Sequence, residues 1–335
     1  MFNKTSYAMT HKTLLFCIAF TLSLPFGAAQ AAHKKHPERV HHVLEKHADK
    51  HVATNGRHKG HIQKVSAESN PFREKFTASG EPDLASAKAL VMDQATGEII
   101  YAKNIDKPTP IASVTKLMTA MVMLDAHLPM DEQLTVTDAD VDTLRGSSSK
   151  LPVGSELTRA ELLHMAVMSS ENRAASALGR NYPGGISAFV AAMNEKAHAL
   201  GMTSSHFVDS TGLHSENMST AADLSKMVRA AYNYPQIREV STTPSQEFVL
   251  NTHRGPVNFS NTNLLVRNSS EKWNIGLSKT GYISEAGRCL VMQAQISGKN
   301  VVLVFLDSMG KLSRIGDAER IRKWMEAGNF KPRLG

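Results

Sequence analysis

The order of secondary-structure signals along the chain predicts an α+β fold, with one antiparallel sheet that joins both chain ends and is covered by helices. Two short apolar-rich runs, at 87–93 and 98–103, predict a hairpin where the folded region begins. Helical patterns then dominate the middle of the chain, and strand patterns return from residue 246 before a closing helix. Because strands and helices do not alternate, a doubly wound parallel sheet is disfavoured, and the helical block is predicted to be an insertion.

Each element has its own signal in the sequence. The first two strands flank the turn-forming tetrapeptide Gln94-Ala95-Thr96-Gly97, and Thr158 with Glu161 forms a capping box that opens a helix. The helix that begins at Ser113 has almost no charged face, which predicts that it lies in the interior. Helices are predicted at 113–126, 158–168, 186–200, from 220 onward, and at 314–326. Further strands are predicted at 246–250, 275–283, 289–296 and 301–306.

The basic excess of the chain is confined to its N-terminal leader. The 335 residues carry 38 Lys and Arg against 31 Asp and Glu, a formal net charge of +7. Residues 1–31 contribute +2 and residues 32–65 contribute +5, which leaves 28 bases and 28 acids in residues 66–335. Neutralisation of phosphates supplies much of the affinity for nucleic acids, so a neutral body argues against such a partner.

Residues 1–31 have the pattern of a secretory signal peptide. A basic start is followed by an apolar stretch at 14–24 that is too short to span a bilayer comfortably, and Ala29-Gln30-Ala31 is a small-x-small cleavage pattern. We therefore expect export to the periplasm, removal of the signal, and no integral membrane anchor on the mature chain.

Residues 32–80 are predicted to form a disordered tether rich in histidine and lysine. Eight of the fifteen histidines lie between 33 and 64, among few large apolar residues. Such a segment cannot bury enough surface to offset the entropy lost on ordering. A weak metal-binding or pH-responsive arm is the alternative, because histidine-rich tracts ligate metals and gain positive charge at about pH 6. Residues 81–335 are then predicted to form one folded domain.

A serine and a lysine one helical turn apart are the first candidates for chemistry. The pattern S-x-x-K occurs four times, but only at Ser113 and Lys116 does it open an apolar helix. Residues three apart share one helix face, and burial lowers the pKa of a lysine, so its neutral amine can take the proton of a serine hydroxyl. The residues alone leave a second interpretation open, in which Ser113 caps the helix and Lys116 extends its amine to solvent.

Two further motifs follow along the chain. Ser170-Glu171-Asn172 comes after an apolar helix, and Lys279-Thr280-Gly281 lies in a predicted strand. S-x-N also occurs at 215–217, whereas Lys-Thr-Gly occurs once. The ordered set S-x-x-K, S-x-N and K-T-G is typical of penicillin-recognising serine acyltransferases.

At these residues the chain resembles the penicillin-binding D-alanyl-D-alanine peptidases, over roughly residues 86–326. Pro110-Ile111-Ala112 and Ser210-Thr211-Gly212-Leu213-His214 are similar to the carboxypeptidases of this family. The segments that are similar to its endopeptidases, the penicillin-binding protein 7 type, are 168–175, 273–275 and 286–292. The resemblance implies the penicillin-binding protein/β-lactamase fold and a periplasmic serine D,D-peptidase that acts on peptidoglycan cross-links.

The resemblance also implies a division of roles among the catalytic residues. Ser113 would attack the carbonyl carbon of a D-Ala residue, Lys116 would accept its proton, and water would then hydrolyse the acyl-enzyme. Ser170 would relay a proton to the leaving amine, and Asn172 would hydrogen-bond the substrate and the lysine.

Substrate binding is likewise implied by the resemblance. Lys279, with Thr280 and Gly281, would supply positive potential for a substrate carboxylate, and the backbone N–H groups of Ser113 and Tyr282 would form the oxyanion hole. Peptidoglycan peptides and β-lactams are the expected ligands. Neither a cofactor nor a metal ion is expected, and the sequence indicates no particular oligomeric state.

The closest rival is a D-alanyl-D-alanine carboxypeptidase, which would release terminal D-Ala rather than cut a cross-link. Many such relatives continue into a second β-rich domain and an amphipathic anchor, whereas only 56 residues follow Lys279 here. This difference favours the endopeptidase.

Three other functions fit the sequence less well. A β-lactamase commonly carries a glutamate in an E-x-x-L-N segment between the second and third motifs, and no glutamate in residues 173–278 has that context. A non-catalytic peptidoglycan-binding protein would not need Ser113. A Ser-His-Asp hydrolase is disfavoured because G-x-S-x-G is absent and the histidines after residue 81 have no distinguishing context.

Overall fold

A computed structural model of the chain describes residues 72–73, 75–78, 80–268 and 272–328, all within the unit Lys64–Gly335. The predicted signal peptide, and the predicted tether up to residue 71, lie outside the described residues. The strands are β1 (Lys88–Asp93), β2 (Ile99–Lys103), β3 (Thr109–Pro110), β4 (Gln133–Thr135), β5 (Glu156–Thr158), β6 (Met218–Ser219), β7 (Ser245–Val249), β8 (Pro256–Ser260), β9 (Asn274–Ile283), β10 (Gly287–Ile296) and β11 (Lys299–Ser308). The helices are α1 (Lys116–Asp125), α2 (Arg159–Met168), α3 (Asn172–Arg180), α4 (Gly185–Ala199), α5 (Ala221–Ala231), α6 (Pro235–Thr242), α7 (Leu264–Arg267) and α8 (Ser313–Glu326).

The main sheet combines strands from both ends of the folded region. Its order is β2-β1-β11-β10-β9, and every neighbouring pair is antiparallel. β1 pairs with β11 in a register that places Ala89 opposite Phe305. Of the strands that the structure describes, only β10 pairs with β9 in this sheet. The predicted α+β class, with an antiparallel sheet joining both chain ends, is confirmed.

A buried carboxylate on the closing helix holds the segment that leads into β1. Asp317 accepts hydrogen bonds from the backbone N–H groups of Ala85 and Ser86, at 2.9 and 2.8 Å, and from the Ser86 hydroxyl at 2.5 Å. Arg320, one turn further along α8, forms an ion pair with the same carboxylate. Because a buried charge is tolerated only when it is paired and hydrogen-bonded, these contacts fix α8 against the start of the sheet.

The sheet has apolar side chains on both faces, so it lies between two layers of helices. Alternate residues of β1 pack on opposite faces of the sheet. Leu90 and Met92 belong to the core under the helical block, whereas Ala89 and Val91 belong to the core under α8. The first core also contains α1, in which every residue from Lys116 to Met123 is buried. This matches the prediction from its missing charged face.

Several elements differ from the predicted ones for local reasons. The predicted helix at 113–126 begins as a 3-10 turn, Ala112–Thr115, and Ala112 has a left-handed φ of +48°. α3 was not predicted because its buried residues are mostly alanine and glycine, which give a weak apolar pattern. α6 was not predicted because it begins with Pro235, a residue that suits the first helical position but resembles a break in the sequence.

Two glycines allow neighbouring segments to touch the backbone next to Ser113. A Cβ on Gly212 would lie 2.0 Å from the carbonyl oxygen of Ala112, and a Cβ on Gly281 would lie 2.8 Å from that of Ile111. Real Cβ atoms do not approach backbone so closely. The strand β9 and the segment around Gly212 therefore pack directly against the 3-10 turn.

Gly212→Ala should destabilise the protein far more than Gly201→Ala. Both glycines have positive φ, +80° and +70°, but only Gly212 has backbone atoms where a Cβ would lie. The left-handed conformation costs an alanine about 1–2 kcal/mol at either position, and the steric clash at Gly212 adds at least ~1–3 kcal/mol. Urea denaturation followed by circular dichroism measures both free energies of unfolding, and equal losses would contradict the packing described here.

Candidate active site

The predicted nucleophile lies at the start of the buried helix α1. Ser113 is partly exposed within the 3-10 turn, between the buried residues Ala112 and Val114. The Thr115 hydroxyl donates to the Ala112 carbonyl at 2.8 Å and closes the turn. The positive φ of Ala112 is a strained conformation of the kind that functional sites retain.

Lys116 is fully buried, and its amine contacts three acceptors. Nζ donates to Ser113 Oγ at 2.9 Å, to Asn172 Oδ1 at 2.7 Å and to the Thr211 carbonyl at 2.6 Å. An ammonium group has three N–H donors, so all of them are used. If the amine loses a proton, two hydrogen bonds can remain while the lone pair faces the Ser113 hydroxyl. The interpretation in which Lys116 extends its amine to solvent is wrong.

Burial changes the acidity of this amine. Desolvation lowers the pKa of Lys116 from its ordinary value of 10.5 to about 8, although the charges of Asp209, Glu171 and Asp142 act in the opposite direction. A substantial fraction of the amine is therefore neutral near physiological pH, which is the form that a general base requires.

The second and third motifs meet each other beside Ser113. Lys279 on β9 is buried, and its amine donates to Ser170 Oγ at 2.9 Å and to the Thr280 carbonyl at 3.0 Å. Ser170 lies between α2 and α3 with a positive φ of +62°. Ser170 and Asn172 thus lie on one side of the site that holds Ser113, and Lys279 lies on the other; we refer to the space between them as the cleft.

A second buried cation lies close to the third motif and was not predicted from the sequence. Burial lowers the pKa of Lys279 well below its ordinary value, and the charges of Lys116 and Arg314 lower it further. Arg314, on α8, is itself buried, and its Nε has no hydrogen-bond partner among the described residues. Desolvation, followed by the charge of Arg288, lowers the pKa of Arg314 to about 10. This concentration of positive charge favours an anionic ligand.

The loop at 142–151 supports the second motif. Its Ser147 hydroxyl accepts a hydrogen bond from Asn172 Nδ2 at 2.9 Å, and its Ser149 hydroxyl donates to the buried Glu171 at 2.6 Å. Asp142, at the base of the loop, accepts from backbone N–H groups within it. Ser147 begins one of the S-x-x-K matches that lack an apolar helix, so the sequence pattern gives no indication of this contact.

Asp209 holds the segment that supplies the third acceptor of Lys116. Its carboxylate accepts from the backbone N–H groups of Thr211, Gly212 and His214, at 2.5, 2.6 and 3.0 Å, and from Asn217 Nδ2 at 2.7 Å. Burial alone would raise its pKa, but the hydrogen bond from the Thr211 hydroxyl, together with those from the three backbone N–H groups, outweighs burial and lowers it. The carboxylate therefore stays ionised and holds the Thr211 carbonyl in place. The motif at 210–214 indicates this segment, although not the role of Asp209.

The remaining predicted site residues lie along β9. Gly281 brings the strand to the nucleophile, because a Cβ there would lie 3.2 Å from the backbone nitrogen of Ser113. The Thr280 hydroxyl donates to Thr262 Oγ1 at 2.7 Å. Tyr282 is exposed, and the guanidinium of Arg288 lies over its ring at 4.4 Å. β9 borders the cleft and is the edge strand of the sheet, so among the described residues its backbone has no strand partner on that side.

The described residues contain neither a membrane-spanning helix nor a cluster of metal ligands. No helix among them is both long and apolar enough to cross a membrane. Within the same residues, no three His, Cys, Asp or Glu side chains are grouped as the ligands of a metal ion would be.

Comparison with known proteins gives one consistent result. Residues 75–310 match the D-alanyl-D-alanine carboxypeptidase family of peptidases. Two proteins named D-alanyl-D-alanine endopeptidase, from Pseudomonas aeruginosa and Escherichia coli, are 48% and 44% identical over 74% and 76% of this chain, and over 79% and 82% of their own lengths. The crystal structure of a Streptomyces DD-transpeptidase is 30% identical with a TM-score of 0.68, covering 74% of this chain and 99% of that one. The chain thus belongs to the D-alanyl-D-alanine carboxypeptidase family, as its three motifs predict.

Proposed function

We propose that the protein is a serine D,D-peptidase that hydrolyses D-Ala-containing cross-links of peptidoglycan through an acyl-enzyme on Ser113. The observation that carries this proposal is the fully buried Lys116 amine, 2.9 Å from the Ser113 hydroxyl and held by two further acceptors. The relatives named D-alanyl-D-alanine endopeptidase support the choice of substrate and reaction.

Acylation begins with the neutral form of Lys116. Ser113 Oγ bonds to the carbonyl carbon of D-Ala while its proton moves to Lys116 Nζ. The backbone N–H groups of Ser113 and Tyr282 stabilise the negative charge that develops on the carbonyl oxygen. This assignment is supported by the close approach of β9 to the Ser113 backbone, which the small size of Gly281 permits.

Breakdown of the tetrahedral intermediate needs a proton at the leaving amine. We assign this relay to Ser170, whose hydroxyl lies 2.9 Å from the Lys279 amine. As the carbon–nitrogen bond breaks, Ser170 gives its proton to the amine and receives in exchange the proton that Lys116 took from Ser113, so Lys116 is neutral again. Water then attacks the Ser113 ester with Lys116 again as the base, which releases the peptide acid and restores the serine.

The third motif and Arg314 are the best candidates for binding the carboxylate of a D-Ala residue or of a β-lactam. Lys279, Thr280 and Gly281 line β9 beside the nucleophile, and Arg314 adds a buried positive charge. An incoming carboxylate would raise the pKa of Lys279 again and keep it protonated. Asn172 would hydrogen-bond the substrate while it orients Lys116.

The location of the protein follows from the same proposal. Peptidoglycan lies outside the cytoplasmic membrane, so the enzyme must be exported. Residues 1–31 would serve as the signal peptide, and residues 81–335 as the catalytic domain in the periplasm. The predicted disordered tether at 32–80 is wrong for its described end, because Phe76 forms a β-bridge with Pro82 and the Arg73 carbonyl accepts a hydrogen bond from Arg320. The tether would therefore end before residue 73.

Ser113→Ala should abolish covalent labelling by benzylpenicillin, because the nucleophile is lost. For the same reason it should lower the rate of muropeptide hydrolysis at least about a thousandfold. Labelling is measured by intact-protein mass spectrometry. Ser215→Ala is the matched control, since it alters the serine of the other S-E-N tripeptide and should leave both activities unchanged. Persistent labelling of Ser113→Ala would refute the nucleophile, and rapid turnover of penicillin by the unmodified protein would indicate a β-lactamase.

The second-order rate constant of acylation by benzylpenicillin, measured at concentrations far below saturation, should rise with pH and level off above about pH 8, because the neutral Lys116 amine of the free protein is the base. Below that pH the rate should fall roughly tenfold per unit, following the neutral fraction of the amine. Stopped-flow measurements between pH 5.5 and 9.5 test this. Lys116→Arg should be inactive throughout, since a guanidinium does not deprotonate. A flat profile for the unmodified protein would contradict the assignment.

Cross-linked muropeptide dimers should be converted to monomers by the protein. Chromatography of the products separates this reaction from the release of free D-Ala from pentapeptide monomers. Activity on the pentapeptide alone would identify a carboxypeptidase instead.

A further inference from the structure

One arginine joins three segments that adjoin the candidate site. Arg145, on the 142–151 loop, donates from Nη1 and Nη2 to the two carboxylate oxygens of Glu285, at 3.0 and 3.1 Å. Its Nε donates to the Leu213 carbonyl at 2.5 Å. Glu285 lies in the turn directly after β9, and Leu213 follows Gly212, which packs against the nucleophile turn. The Arg145 guanidinium therefore connects the 142–151 loop and the turn after β9 with the segment beside Ser113.

The two partners of this ion pair are not held equally. The Arg145 side chain is 22% exposed and keeps its bond to the Leu213 carbonyl whatever Glu285 does. The Glu285 side chain is 47% exposed, and its other hydrogen bonds are local ones, from the adjacent Ser284 hydroxyl and from its own backbone N–H. Because nearly half of the Glu285 side chain is exposed, water can replace Arg145 as the partner of its carboxylate when that side chain turns away. Arg145 would then present two oriented N–H groups, a geometry that matches a carboxylate.

The other carboxylates around the cleft are committed to their own partners. Asp209 is bound by backbone N–H groups of residues 211–214, Glu171 by Ser149, and Asp142 by the loop backbone. Glu285 instead forms an ion pair with the guanidinium of Arg145. Hydrogen bonds from Arg145 and then Ser284 lower the pKa of Glu285 to about 2, so it remains ionised at neutral pH.

We propose that Arg145 is a carboxylate-binding residue of the cleft, and that Glu285 is a built-in carboxylate that occupies Arg145 until an acidic peptide arrives. This rests on the proposed function, which makes a D-Ala-containing peptide the substrate and assigns Lys279 to its first carboxylate. A second carboxylate of the peptide takes the two N–H groups that Glu285 releases. Arg145 thereby selects peptides with a free side-chain carboxylate.

Displacement predicts opposite effects for the two members of the pair. Removing the charge of Glu285 removes a competitor and should strengthen recognition of the substrate carboxylate. Removing the charge of Arg145 should abolish that recognition. An ion pair that only holds the loop in place would instead lose the same contact in either variant, so both variants would change activity in the same direction.

The test uses a synthetic cross-linked peptide, in which the carbonyl of D-Ala is joined to a side-chain amine of a second peptide and which bears a free side-chain carboxylate, together with the same cross-linked peptide amidated at that carboxylate. The ratio of kcat/KM for the acid to that for the amide is measured in the unmodified protein, in Glu285→Gln and in Arg145→Gln. We expect Glu285→Gln to raise this ratio at least threefold, and Arg145→Gln to bring it within twofold of one. An unchanged ratio in both variants, or a fall in both, would overturn the proposal.

The matched control is Glu326→Gln. Glu326 is 45% exposed and accepts two hydrogen bonds from Arg322 on α8, at 2.7 and 2.8 Å, so it loses a comparable ion pair. Its acid-to-amide ratio should equal that of the unmodified protein. Dissociation constants of the two peptides in the Ser113→Ala background separate the two proposals: if the unmodified protein hydrolyses neither peptide, the proposed function fails, whereas binding still decides the role of Arg145.

Discussion

The buried amine of Lys116 is the constraint around which the site is arranged. A cation in the interior is tolerated only when its donors are satisfied, and its three N–H groups reach Ser113, Asn172 and the Thr211 carbonyl. Two of these acceptors have dedicated supports, Ser147 for Asn172 and Asp209 for the Thr211 segment. The burial that demands these acceptors also lowers the pKa of the lysine to about 8, so one physical cause organises the cleft and prepares a base.

Most of the fold could be predicted because its elements have strong local patterns. The hairpin β1–β2, the buried helix α1 and the capping box of α2 all lie close to their predicted positions. α3 and α6 could not be predicted in the same way, since one packs through small residues and the other begins with proline. The 3-10 turn before α1 could not be predicted, because its backbone lies in close contact with β9 and Gly212, which are distant in sequence.

The candidate site, like the fold, contains residues that the sequence predicts and groups that only the tertiary contacts reveal. Ser113, Lys116, Ser170, Asn172 and Lys279 belong to short motifs with a chemical rationale, and the structure places these five side chains together. The Thr211 carbonyl could not be predicted as an acceptor, because a backbone group has no residue signature. Arg314 comes from α8, far from the motifs in sequence, and only the fold brings its charge near Lys279.

The strand order of the sheet also governs when the domain can fold. β1 lies between β2 and β11, and its register pairs Ala89 with Phe305, so the sheet cannot close until nearly the whole chain is available. Contacts between residues so distant in sequence carry a large loop-closure entropy and slow folding. In the export proposed for this chain, the delay would keep the polypeptide unfolded and able to pass through a secretion channel until its last strands emerge, so that the nucleophile is assembled only outside the cytoplasm.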